Sequence, residues 1–225
     1  MRPFMVKLDI LSDPICPWCY IGKTRLDRAL AQRPDHPFTI EWHPFQLNPE
    51  MPPEGMDRRA YLEAKFGGKE GAVRVYGQIA DAAEEDGLML NLAAIERTPN
   101  TLNAHRLIHW AGIEGRQTPV VSALFAAYFE KGLDISDMDV LLQIASDVEM
   151  DIDATRRLLQ GDADAADIRA RDHHARQRGV GGVPMFIVAN QHALSGAQPT
   201  DLWLQAIDEI TEQIQAPNAT DTTVH

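Results

Sequence analysis

The sequence predicts an α/β protein in which a small sheet is split by a long helical block. A strand–helix–strand pattern opens the chain and a strand–strand–helix pattern closes it. Between them, apolar residues recur only at helical spacing. The chain therefore divides into residues 1–48, an all-helical insert over 49–178, and residues 179–225, the two ends together forming one domain.

Each element has its own signal. Val6, Leu8 and Ile10 alternate with Lys7, Asp9 and Leu11, as in a half-buried strand. Ile21, Leu26, Ala29 and Leu30 then fall at helical spacing, and Pro34 closes that helix. Phe38, Ile40 and Trp42 alternate with Thr39, Glu41 and His43, giving a second strand. Strand, crossover helix and strand make a βαβ unit, so the two strands should be parallel with a right-handed crossover. Pro49, Pro52 and Pro53 mark a linker. Helices follow over 60–66 and 72–86, then after Thr98-Pro99 and after Thr118-Pro119, the second of these carrying Val121, Phe125 and Tyr128 as far as Gly132. Ser136-Asp137-Met138-Asp139 resembles a capping box before Leu141, Ile144 and Val148. Two more helices are predicted over 152–160 and 163–178. Met185 to Val188 is a strand, joined across Asn190-Gln191-His192 to a short strand over Ala193 to Ser195. The last helix starts near Pro199 and should bury Trp203, Ile207, Ile210 and Ile214, and residues 216–225 read as a frayed tail.

Composition excludes several function classes. The 225 residues carry 21 Lys+Arg against 33 Asp+Glu, a formal charge of −12. Such a surface repels phosphate backbones, so nucleic acid and anionic membrane are not expected partners. No apolar run approaches the roughly 18 residues of a membrane helix. Lys7 and Asp9 interrupt what would be the apolar core of a leader peptide, so the expected address is cytoplasmic. In a reducing compartment, paired cysteines serve catalysis or metal binding more often than structure.

The two cysteines, Cys16 and Cys19, stand in Cys16-Pro17-Trp18-Cys19. Random placement would give this spacing in only about one chain in a hundred. A structural disulfide closing so short a loop would add little stability. A zinc site needs four ligands, and there is no second Cys-x-x-Cys, so histidines would have to complete it. The third reading, a redox-active dithiol, has local context in its favour, because the pair lies where a strand ends and a helix begins. Unpaired N–H groups and the dipole at a helix start stabilise a thiolate, and only a thiolate attacks a disulfide. Cys16, at the edge of the helix, should be the exposed attacking sulfur. Cys19, one turn inside, should be the resolving one.

The stretch Cys16-Pro17-Trp18-Cys19-Tyr20-Ile21-Gly22-Lys23, with Gly182-Val183-Pro184-Met185-Phe186 and Ser195-Gly196-Ala197-Gln198-Pro199, resembles the DsbA-like thioredoxin superfamily. Within it the FrnE-like oxidoreductases are most similar, near 2-hydroxychromene-2-carboxylate isomerase and the kappa-class glutathione transferases. The resemblance spans nearly the whole chain. It implies a thioredoxin-like fold with an inserted all-helical domain, and a cis Val183–Pro184 bond beside the dithiol. It also implies that Val183 and Pro184 bind a substrate strand through the free backbone groups of Val183, while Pro17 and Trp18 tune the redox potential.

The activity implied is thiol–disulfide exchange on a disulfide-containing protein or small thiol, with no tightly bound cofactor, no metal, and glutathione as a candidate co-substrate. The alternative is a glutathione-dependent isomerase or transferase acting on an aromatic or other small organic substrate. Relatives of that kind usually carry serine where Cys16 stands. Relatives are often homodimers, but no stripe of residues here marks an interface.

Two further features stand out. His105 and His109 share a helix face at zinc-compatible spacing, but Arg106 stands where a metalloprotease helix needs glutamate, so both should face a groove or solvent. Arg169 to Arg178 is a basic run, read as a solvated helix end or as a positive field drawing anionic glutathione toward Val183–Pro184. Ser195 to Gln198 lead into the last helix, whose start could hold a carboxylate.

Overall fold

The computed structural model describes residues 5–215; the predicted tail lies outside them. Four strands form the main sheet: β1 (Val6–Ser12), β2 (Phe38–Pro44), β5 (Met185–Val188) and β6 (His192–Ser195), in the order β2-β1-β5-β6. β1 runs parallel to β2, with Val6 opposite Phe38 and Ser12 opposite Pro44. It runs antiparallel to β5, with Leu8 opposite Val188 and Leu11 opposite Met185. The two ends of the chain thus meet in one sheet, as the pattern predicts.

Helix α1 (Pro17–Gln32) crosses from β1 to β2, and α9 (Thr200–Gln215) follows β6. They pack against one another and against one face of the sheet. Trp203 of α9 is fully buried, its ring set edge-to-face on Phe186 at 4.9 Å. Arg33 Nε donates to Asp208 at 2.7 Å, tying the C-terminal end of α1 to the middle of α9.

Between β2 and β5 lie α2 (Arg58–Phe66), α3 (Lys69–Glu85), α4 (Leu102–Ile113), α5 (Gln117–Phe125), α6 (Met138–Asp147), α7 (Ile152–Gln160) and α8 (Ala165–Gln177). Helices α4, α5 and α8 rest on β2, and the buried side chains of sheet and block form one continuous core. The chain fold is α/β with a helical insertion.

Several sequence expectations are corrected. β1 is enclosed from Leu8 to Ser12 rather than half-buried, because it is an interior strand of a sheet with helices on both faces; even Asp9 is buried. Thr98 does not start a helix. Arg97–Thr98 forms a two-stranded ladder, β4, with β3 (Met56–Asp57), and α4 begins at Leu102, whose N–H is taken by Asn100 Oδ1 at 2.9 Å.

Helix α5 begins at Gln117, ahead of Thr118, and the Gln117 amide accepts from Trp42 N–H at 2.7 Å and donates to Trp42 C=O at 3.1 Å. That side chain imitates a further strand and closes the β2 edge. Tyr128 falls in a π-helical turn, Ala126–Glu130, rather than in α5. Asp137, not Ser136, caps α6, because the Ser136 hydroxyl is engaged by Asp134. The hairpin turns at Ala189 and Asn190, both at positive φ, so His192 belongs to β6. Ile210 and Ile214 are only partly covered, because they line an open cavity with Val6, Val188 and Leu194.

Trp203→Ala should lower unfolding free energy by about 3–5 kcal/mol, the usual loss for a fully buried large aromatic. Chemical denaturation at constant m-value is the check, and a loss under about 1 kcal/mol would mean that α9 is not anchored through this ring.

Candidate active site

The site is built where β1 ends. Asp13 C=O accepts the Cys16 N–H at 2.9 Å, which turns the chain sharply into α1. Cys16 is the N-cap residue, in extended conformation, with Pro17 as the first helical residue. Proline suits that position because its missing N–H would have had no partner there. Cys16 N–H thus points back to the strand, Cys19 N–H returns to Cys16 C=O at 3.0 Å, and the dithiol spans the first turn of α1.

Opposite lies the approach to β5. The Val183–Pro184 bond is cis. The Cys16 thiol donates to Val183 C=O at 3.5 Å, so two residues 167 positions apart in the chain are in contact. Gly22 makes this closeness possible. A Cβ there would sit 3.3 Å from Pro184 Cγ, 3.3 Å from Ala197 Cα and 3.4 Å from Phe186 Cζ. Arg25, one turn on, donates to Ala197 C=O at 2.9 Å and to Asp86 at 2.6 Å, locking α1 to both the sheet domain and α3.

Both thiols are free, and both are buried: Cys16 is 4% exposed and Cys19 2%. The expectation of an exposed Cys16 is therefore corrected. The approach to β5 covers it, and the half-buried Trp18 is the member of Cys16-Pro17-Trp18-Cys19 that reaches furthest toward solvent. Burial pushes the Cys19 thiol well above its ordinary value; the nearby Cys16 adds to this, while the Asp13 amide and the Ser12 hydroxyl oppose it. Cys19 therefore keeps its proton near neutral pH.

Residues from the helical block complete the surroundings. Tyr20 stacks on Phe125, centroids 5.0 Å apart, and its hydroxyl donates to Glu130 in the π-helical turn. Arg58 is buried and donates to Tyr128 Oη at 2.9 Å and to Tyr76 Oη. Tyr76 and Trp18 both pack against the small cluster of Ile21, Ile79 and Ala83.

The two histidines part company. His105 is buried and turned to Asp13, while His109 Nδ1 accepts from Arg171 at 3.2 Å. They share no ligand position. The basic run is likewise less solvated than expected. Arg171 also donates to His43 Nδ1, and Arg176 lies over the Phe45 ring at 4.1 Å and pairs with Asp172 at 2.9 Å. Asp9, Glu41 and His43 converge closely enough to share a cation. The Lys7 ammonium, 2.9 Å from Asp9 and 2.8 Å from Glu41, already supplies that charge.

A DSBA-like thioredoxin domain matches residues 7–208. The chain belongs to this family. Among solved DSBA-like structures, the probable DsbA oxidoreductase SCO1869 from Streptomyces coelicolor is 28% identical, with a TM-score of 0.81 over 97% of this chain and 94% of that one. 2-Hydroxychromene-2-carboxylate isomerase is 19% identical, with a TM-score of 0.69 over 92% of this chain and 97% of that one. The cytosolic disulfide reductase DsbM from Pseudomonas aeruginosa, solved with GSH, is 17% identical, with a TM-score of 0.65 over 91% and 98%. The Bacillus subtilis protein YwbO is 23% identical over 209 residues, 91% of this chain and 96% of its own. These likenesses agree with the resemblance seen in the sequence and with a DsbA-like fold. No helix among the described residues is long and apolar enough to cross a membrane.

Sequence reasoning located Cys16, Cys19, Val183 and Pro184, which the fold brings together, but passed over Ser12, Asp13, Tyr20, Arg58 and Gly22. Asp13 had a visible signal, since it lies three residues before the dithiol. Arg58 had none, because only the fold carries it there.

Gly22→Val should cost about 1–3 kcal/mol, since added methyls would press on Pro184 and Phe186 from a helix that cannot withdraw. It should also speed alkylation of Cys16 in the folded protein by loosening its contact with Val183. An unchanged denaturation midpoint would mean that α1 is not seated on Pro184.

Proposed function

We propose that the protein is a thiol–disulfide oxidoreductase in which Cys16 attacks and Cys19 resolves. The observation that carries this reading is the contact of the Cys16 thiol with Val183 C=O at 3.5 Å, at the N-terminus of α1. A disulfide-bearing strand lying along Val183 and Pro184 would present its sulfur to Cys16 first. The Cys16 thiolate attacks, one substrate sulfur leaves as a thiolate, and a mixed disulfide forms. Cys19 then attacks Cys16, releasing the second substrate sulfur and closing the Cys16–Cys19 disulfide.

The division of labour follows from proton affinity. The thiol of Cys19, held protonated by burial, does not compete for the first attack. Pro17 and Trp18, lying between the sulfurs, tune the potential without adding charge. Substrates are disulfide-containing proteins or small thiols. Glutathione serves as co-substrate rather than as a bound cofactor, and the setting is the cytoplasm. Whether the dithiol donates or accepts electrons there depends on its reduction potential against the glutathione pool. The resolving cysteine favours this reading over a glutathione-dependent isomerase or transferase, which needs no second thiol.

Titration of the purified protein against glutathione redox buffers, with thiol trapping and mass spectrometry, should reveal a reversible intramolecular Cys16–Cys19 disulfide. Cys19→Ser should accumulate a mixed disulfide on Cys16, and Cys16→Ser should abolish turnover of small disulfides. A wild-type protein that shows only a stable glutathione adduct, or no oxidation, would sink the dithiol mechanism and leave the isomerase reading.

A further inference from the structure

We infer that the protein has a second binding site, for an aliphatic carboxylic acid, in the cavity between α8 and the face of β5 turned away from α9. The inference does not depend on the oxidoreductase reading above.

The cavity follows from how the sheet is covered. Strand alternation sends Phe186 and Val188 of β5 to the α9 side, where both are buried. Met185 and Ile187 point the other way and are only half-buried. Helix α8 rests on β2, so the cover supplied by the insert gives out before β5. The gap is a cavity of about 730 Å³, with Leu11, Met185 and Ile187 on the sheet side and Ala175 and Val180 on the other. That volume lies within the roughly 300–1,000 Å³ of ordinary small-molecule sites.

Charge gives the cavity a preference. Lys7, Asp9, Arg171 and Arg178 line it, three cations against one carboxylate, in a chain of formal charge −12. The carboxylate is already answered, because Asp9 meets the Lys7 ammonium at 2.9 Å and His43 Nε2 at 2.5 Å. Lys7 in turn reaches Glu41 at 2.8 Å. The two arginines are left over. Arg171 gives one N–H to His109 Nδ1 at 3.2 Å and another to His43 Nδ1 at 3.3 Å, both uncharged acceptors. The acid it approaches, Asp167, is 3.9 Å away and largely exposed, a pairing that offsets little charge. Arg178 is exposed and pairs with no acid among the described residues.

The histidines hold the Arg171 guanidinium in place without neutralising it. With Nε2 turned to Asp9, His43 presents Nδ1 as an acceptor, so its tautomer is set from the sheet. A guanidinium has five N–H donors, and the two imidazoles take two of them. The others can meet a carboxylate, whose two oxygens match the arginine fork.

The rest of the lining selects the body of the ligand. Phe, Tyr and Trp are absent from it, and the apolar surface is leucine, isoleucine, valine, methionine, proline and alanine. A flexible alkyl chain fits such a surface, whereas a planar ring finds no ring to stack on.

The test titrates decanoate, below its micelle-forming concentration, into the full chain labelled with carbon-13 at its methionine and isoleucine methyls. The Met185 and Ile187 signals should shift saturably, while those of Met138 in α6 and Ile79 in α3 stay in place. Octanoate, two methylenes shorter, should bind about tenfold more weakly. 1-Decanol, which keeps the chain and lacks the charge, should also lose roughly tenfold. Arg171→Gln should weaken decanoate by a similar factor. Arg178→Gln should weaken it severalfold, and it keeps the test open if the Arg171 variant disturbs the histidines. Shifts that spread to the exposed Met89 without saturating would mean surface adsorption and overturn the inference. Equal binding of 1-decanol would remove the arginines from the site and overturn it as well. Glutathione displacing decanoate from the Met185 and Ile187 signals at comparable concentration would make this a site for a polar anion, against the inference.

Discussion

The seat of α1 on the sheet is the constraint on which the rest depends. Gly22 lets the helix backbone come within ordinary van der Waals range of Pro184 and Phe186. From that distance follow the Cys16–Val183 contact, the reach of Arg25 to Ala197, and the place of Trp203 beneath Phe186. A larger side chain would displace the helix that carries the thiols relative to the strand that faces them. The site is therefore an outcome of helix–sheet packing, and its tolerance is set by the absence of one methyl group.

The helical block does more than roof the sheet. It supplies His105 from α4, Glu130 from the π-helical turn, and Arg58 with Tyr76 from α2 and α3. π-Helical turns often mark functional places in helices, because they swing a side chain out of the regular spiral. Here the turn lets Glu130 meet Tyr20, the residue after Cys19, while Phe125 and Phe129 stack on the same ring. The dithiol is thus held from two sides, by the sheet through Val183 and by the block through Tyr20.

Much of this was legible in the sequence. Alternation gave β1, β2 and β5, helical spacing gave α1 and most of the block, and Cys16, Cys19, Val183 and Pro184 were named from their motifs. The errors have particular causes. Thr98-Pro99 carries a helix-start pattern, but the chain pairs Thr98 with Met56, a partner 42 positions away that local rules do not see. Alternation in β1 suggested one wet face, whereas helices from the insert cover it, and a strand's neighbours are not written in its own residues. His105 looked like a surface histidine because its partner, Asp13, belongs to a turn 92 residues earlier. Periodicity reports which face is buried; it does not report what waits on the other side.

The order of strands has a consequence for how the chain is made. β1 lies between β2, which follows it at once, and β5, which arrives only after the whole insert. On the ribosome, β1, α1 and β2 can pair early, but α1 lacks Phe186 and Trp203 beneath it until the last few dozen residues emerge. Closing a contact over so long a separation is slow, and apolar surface waits exposed meanwhile. Cys16 also waits without Val183, so through most of synthesis the two cysteines are ordinary thiols on an unsupported helix. The pair meets Val183 only when the C-terminal strands dock, and a truncated chain would carry the motif without its surroundings.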